Sequence, residues 1–96
     1  MTVFDSDPWK NDRNRRKHGV TFETASTVFE DRRALVAFDA DEDSEDRWIV
    51  IGRAADGDTL VVAFAVREHA SGEMIRIISA RHALRHERIC YEQQAH

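Results

Sequence analysis

The chain has 96 residues, the size of one domain. Hydrophobic residues make up 42% and charged residues 33%, which excludes a disordered chain. No apolar run approaches the roughly 20 residues needed to span a bilayer. The net charge of −4 conceals an asymmetry, because "DADEDSED" (39–46) holds six acids and no base and the remainder sums to +2.

From the N-terminus, "MTVFDSDPWK" lacks the basic-then-apolar layout of a signal peptide, so a cytoplasmic location is expected. "SDPWKNDRNRRKH" then predicts a helix. Ser6 or Asp7 can cap it, Pro8 suits its first position, and Gly19 fits the left-handed residue that ends it. Lys17 and His18 fall in the last turn, where the helix dipole favours positive charge. "KHG" is thereby explained as punctuation. This helix is nearly all polar, with Trp9 as its expected anchor, so it belongs on the surface. A second short helix follows, with Thr21 as cap and Phe22, Ala25, Val28 and Phe29 at helical spacing.

The middle of the chain reads as strands: "ALVAF" (34–38), "RWIVIGR" (47–53), "TLVVAFAV" (59–66) and "MIRIISA" (74–80). "ADGD" (55–58) contains Asp-Gly, a two-residue hairpin signal. Short turns between successive strands predict an antiparallel meander. Arg53 ends its strand on the face of Ile49 and Ile51, and in 74–80 Arg76 shares a face with Ile78.

"SARHALRHERICYEQQ" (79–94) predicts a C-terminal helix capped by Ser79. At 100° per residue Ala80, Ala83, Leu84 and Tyr91 form an apolar stripe that includes Glu87. A carboxylate there needs a partner. It is either in a structural ion pair with an arginine or a general base tuned by its surroundings. His82 and His86 have the spacing of a zinc pair but lack a third ligand, so no metal site and no cofactor are expected. Cys90 is the single cysteine and can form no internal disulfide. The bases gather at Lys10, Arg13, Arg15, Arg16 and Lys17, and again at Arg76, Arg81, Arg85 and Arg88. Such clusters are either solvated faces or patches that hold an anionic polymer. The elements together predict one α+β domain over 1–96: a small antiparallel sheet of about four strands, two helices before it and one after.

"RKHGVTFETASTVFED", "EDRWIVIGRAADGDTLVVAF" and "IRIISARHALRHERICYE" resemble, in that order, the signature segments of the BrnT family, toxins of bacterial type II toxin–antitoxin modules. The resemblance spans about residues 4 to 92. One position departs: Arg15 stands where the family pattern usually has an aliphatic residue. The resemblance implies a RelE-like endoribonuclease that stops translation. It also implies neutralisation by a BrnA-type ribbon-helix-helix antitoxin, in a heterotetramer that reaches operator DNA only through the antitoxin.

Metal-independent RNA cleavage uses the 2′-hydroxyl as nucleophile. The protein must activate that oxygen, stabilise charge on phosphorus and protonate the leaving 5′-oxygen. Guanidinium groups pair with two phosphate oxygens, and histidine transfers protons near neutral pH. Arg53, Arg76 and Arg81 are therefore the candidate phosphate clamps and His18 the candidate acid or base. Lys17, Arg85 and Arg88 are candidate RNA contacts, and Tyr91 could stack a base or orient a phosphate. Glu87 keeps both of its readings. The alternative is a module without catalysis that docks an antitoxin or binds RNA. The acidic loop is expected to lie away from the RNA face, as a solubilising loop or as a contact for a basic partner.

Overall fold

The computed structural model describes residues 3–39, 47–70 and 72–94. The acidic loop falls almost wholly outside these residues, and its predicted placement with it.

Helix α1 spans Pro8–His18. Asp7 caps it: its backbone is extended and its carboxylate accepts the Trp9 N–H at 2.9 Å. Pro8 takes the first turn, where no N–H is missed. Gly19 ends the helix at φ 72°, donating to the Arg15 carbonyl at 2.8 Å; this left-handed conformation is the one glycine adopts without steric cost. Helix α2 (Phe22–Ser26) is capped by the Thr21 hydroxyl and runs into a 3-10 turn at Thr27–Glu30.

Five strands form one sheet: β1 (Val3–Asp5), β2 (Leu35–Phe38), β3 (Arg47–Arg53), β4 (Thr59–His69) and β5 (Gly72–His82), in the order β1-β5-β4-β3-β2. The expectation of about four antiparallel strands needs correction. β2 to β5 are an antiparallel meander, but β1 adds a fifth strand, parallel to β5. Three residues ahead of a helix cap carry no legible alternation, so only pairing with β5 makes them a strand. The β3–β4 hairpin turns at the predicted Asp-Gly, with Gly57 at φ 94° and the Ala54 N–H donating to the Asp58 carbonyl at 2.8 Å.

The core lies between one sheet face and the helical segments that precede β2. Phe22, Ala25 and Val28 pack with Val50, Leu60, Val62, Phe64, Ile77 and Ala80. Phe29 extends this core, with its ring 4.9 Å from Phe64 and 5.4 Å from Phe4 of β1. Gly52 leaves room for the 3-10 turn: a Cβ there would lie 2.7 Å from Val28 Cγ1.

Two expectations fail here. The last helix, α3, spans Arg85–Gln93 and not 79–94. Residues 79–82 stay in β5, paired with β4 as far as Leu60 opposite His82, because ladder hydrogen bonds and burial of Ala80 outweigh local helix preference. The apolar stripe dissolves accordingly: Ala80 is strand core, while Leu84 precedes the helix and is 56% exposed. Trp9 is no anchor either, at 69% exposed. Among the described residues no helix is long and apolar enough to cross a membrane.

Candidate functional site

β5 organises the arginines. Val62 and Phe64 of β4 belong to the core, so Val61, Ala63 and Ala65 point to the opposite face. Arg76 pairs with Ala65, Ser79 with Ala63 and Arg81 with Val61, and all three therefore share that second face. In an unbroken ladder two residues five apart would face opposite ways. Ile78 is the extra residue of a β-bulge, unpaired between Ile77 and Ser79, and it restores the parity. Arg76 and Arg81 lie two rows apart, about 13 Å along the strand, with Ser79 on the row between them. Arg53, opposite Thr59, is on the same face beyond the Arg81 row.

Each of these arginines lies beside a carboxylate. Arg76 Nε and Nη2 donate to Asp5 Oδ2 at 3.0 and 2.7 Å, a carboxylate that β1 places directly opposite. Arg81 donates through both Nη atoms to Glu87 at 2.7 and 2.9 Å. Glu87 also accepts the Leu84 N–H and so closes the start of α3. The Arg81 hydrogen bonds, working against burial, hold the Glu87 carboxyl at about 2, and the pair raises Arg81 in turn. Of the two alternatives for Glu87 the geometry forms the ion pair, and a carboxylate at about 2 is a weak base near neutral pH.

Arg53 is exposed, and its backbone N–H donates to Asp31 Oδ2 at 2.8 Å. Asp31 also accepts the Arg33 N–H and the Tyr91 hydroxyl. Burial pushes the Asp31 carboxyl up, but the Arg53 N–H, the Tyr91 hydroxyl and the Arg33 N–H together bring it below its ordinary value. Tyr91 is 5% exposed, and burial and then the Asp31 bond raise its phenol. A ring so enclosed cannot stack a base. Tyr91 instead fastens α3 to the loop before β2. Arg85 and Arg88 stand exposed on α3, with no ion pair among the described residues.

The edge of β5 beyond β1 is covered by α1 through one polar side chain. Asn14, the only buried residue of α1, donates to the carbonyls of Ala80 (2.8 Å) and Val20 (2.9 Å) and accepts the Ala80 N–H (3.1 Å). Its amide serves Ala80 as the peptide of a neighbouring strand would. Docked this way, α1 lines a cleft of about 270 Å³ with Lys10, Arg13, Lys17 and His18, against Ile78 and Ser79 of β5. An adjoining cleft shares Lys10 and Ile78 and reaches Arg76. Asp12, on the far side of α1, pairs with Arg15 at 2.8 Å and with Arg16, and hydrogen bonds from both lower its carboxyl. Arg15, the departure from the family pattern, therefore points to solvent without disturbing the docked face.

The structure thus brings His18 and Lys17 beside Ser79, midway between the rows of Arg76 and Arg81. Arg53 and Tyr91 share a separate cleft with Asp31 and Arg33. His82 and His86 are not one helical turn apart, since His82 is on β5, with Nδ1 3.9 Å from Asp58. Among the described residues no three His, Cys, Asp or Glu side chains converge. Sequence reasoning missed Asn14, Ser79, Asp5 and the position of Lys10 at the rim of both clefts. Only Asn14 left a signal: asparagine disfavours a helix interior unless its amide is used.

The fold and site define a small α+β domain with cations ranged along one edge and one face of its sheet. The family described as "Ribonuclease toxin, BrnT, of type II toxin-antitoxin system" matches residues 6–87. The chain belongs to this family, and an RNA substrate and an antitoxin partner come with that membership. The fold is similar to the 1.1 Å crystal structure of the Brucella abortus ribonuclease toxin BrnT, with TM-score 0.62 and 24% identity, over 88% of this chain and 99% of that one. Among curated proteins none matches.

Proposed function

We propose that this toxin is an endoribonuclease that cleaves RNA without a metal, using the 2′-hydroxyl as nucleophile, and so inhibits translation. The observation that supports this reading is the β5 bulge: it sets Arg76 and Arg81 on one face, with His18 and Lys17 beside the row between them. The 2′-oxygen attacks phosphorus, the P–O5′ bond breaks, and a 2′,3′-cyclic phosphate and a free 5′-hydroxyl result. Arg76 and Arg81 hold the non-bridging oxygens, where charge grows. His18 carries a proton from the nucleophile or to the leaving oxygen. Lys17, Arg85 and Arg88 hold flanking phosphates, and Arg53 extends the clamp along the sheet face. To engage phosphate, Arg76 must exchange Asp5 and Arg81 must exchange Glu87. The toxin acts in the cytoplasm and is neutralised by a BrnA-type ribbon-helix-helix antitoxin, with which it forms a heterotetramer.

Those same ion pairs favour a second reading, in which the arginines only brace the fold and the chain docks its antitoxin without cutting RNA. Inducing the chain alone in bacteria separates the two. On the first reading growth stops and RNA is cut, and cleavage by the purified protein persists in excess EDTA. Arg76→Ala and Arg81→Ala should each lower cleavage by about 10²-fold while melting curves show a folded protein. His18→Gln should also lose activity. Folded variants with full activity would overturn the clamp assignment, and activity lost in EDTA and restored by a divalent ion would overturn the metal-free mechanism.

A further inference from the structure

The ribonuclease reading gives no role to Trp9, Lys10 and Arg13 of α1. Trp9 is 69% exposed, and the Arg13 guanidinium carbon lies 5.9 Å from its ring centroid. A single exposed aromatic is ordinarily unremarked surface. This one has a distinct setting. Helical geometry places Trp9, Arg13, Lys17 and Lys10 within one sector of about 100°, and the last three line the cleft that contains His18. Carboxylates near that sector leave its cations unpaired: Asp12 is engaged by Arg15 and Arg16, Asp5 and Asp7 line the adjoining cleft beside Lys10, and neither Lys10 nor Lys17 is in an ion pair among the described residues. Packing cannot explain the ring, because Asn14 docks the helix instead.

We infer that Trp9 and Arg13 form a base-stacking subsite for single-stranded RNA, joined to the cleft by the phosphate-holding Lys10 and Lys17. A flat ring with a guanidinium beside it offers a sandwich for an unpaired base, and ammonium groups on the same flank track the backbone. Every base has a π-face, so the subsite grips RNA without reading sequence. It holds a nucleotide outside the scissile position and contributes to binding rather than to the chemical step. The inference rests on the ribonuclease reading but can fail separately from it.

The probe is a mixed-sequence pool of 2′-O-methyl oligoribonucleotides of ~8 residues, which cannot be cleaved because the nucleophile is blocked. Binding should quench Trp9 fluorescence above the signal of the half-buried Trp48. Trp9→Leu should abolish this quenching and weaken affinity on the order of 10-fold, with an unchanged melting curve. Lys10→Ala and Lys17→Ala should each reduce the slope of log affinity against log salt by about 0.7. Heparin, a polyanion without bases, should bind wild type and Trp9→Leu alike. Equal RNA affinity and quenching in Trp9→Leu would overturn the subsite and leave the ribonuclease reading intact. An equal loss of heparin binding would overturn stacking as the mechanism. Failure of Trp9→Leu to retain antitoxin, with RNA binding unchanged, would give this flank to the protein partner. A wild type that ignores the RNA pool would remove both readings.

Discussion

Helix α1 and the α2–3-10 segment are neighbours of similar length that reach the sheet by opposite means. The second is held by apolar burial: Phe22, Ala25 and Val28 are each 2% exposed or less. The first buries one residue, Asn14, whose amide makes two hydrogen bonds to the Ala80 peptide of β5 and a third to the Val20 carbonyl ahead of α2. The difference shows how a small domain separates stability from a charged surface. A greasy α1 would have to bury the flank that carries Lys10, Arg13 and Lys17. A polar clasp holds the same helix in register and leaves those cations on the surface.

Three substitutions break or sharpen this contrast. The largest effect is expected from Phe22→Ala, which empties core volume and should cost about 3–5 kcal/mol. The midpoint of denaturant unfolding should fall accordingly, and RNA binding should be lost only in step with the folded fraction. Asn14→Ala comes next. It leaves the Ala80 N–H and two carbonyls without their partner, at a cost on the order of 2–3 kcal/mol. Under conditions where this variant is still folded, RNA affinity should already be weaker and exchange of the Ala80 amide faster. If affinity tracked only the folded fraction, as for Phe22→Ala, the clasp would be ordinary core.

The smallest effect concerns α3, which is fastened by charge. Its Glu87 carboxyl is depressed from 4.5 to about 2 by Arg81. The stabilisation is therefore complete above the unfolded value and is lost as pH falls from about 4.5 toward 2. Because Arg81 is partly solvated, the whole term is on the order of 1 kcal/mol. Glu87→Gln should flatten the acid limb of the stability curve by that amount and leave the curve above pH 5 parallel to wild type. An unchanged acid limb would mean the pair contributes nothing to α3.

Local signals carried much of this protein. The Asp7 cap with Pro8 and Gly19 delimits α1, Thr21 starts α2, Asp-Gly makes the β3–β4 turn, and β-branched runs mark β2 to β5. Each depends on backbone preferences within a few residues, so each could be read from the chain alone. The tertiary structure decided the rest. β1 is a strand because β5 offers it an edge. Residues 79–82 are strand because Leu60 to Ala63 pair with them, although the same residues suit a helix. The face on which Arg81 lies depends on the unpaired Ile78, and a shift of one residue in that register would turn the arginine to the core. Tyr91 is enclosed, and Arg76 and Arg81 hold carboxylates, because residues 60, 71 and 6 positions away in sequence meet them in space. Side-chain parity and ladder pairing are properties of the closed sheet; the partners of Tyr91 and Arg76 lie far away in sequence, and Arg81 meets the nearby Glu87 only because the Ile78 bulge and the end of β5 turn it that way.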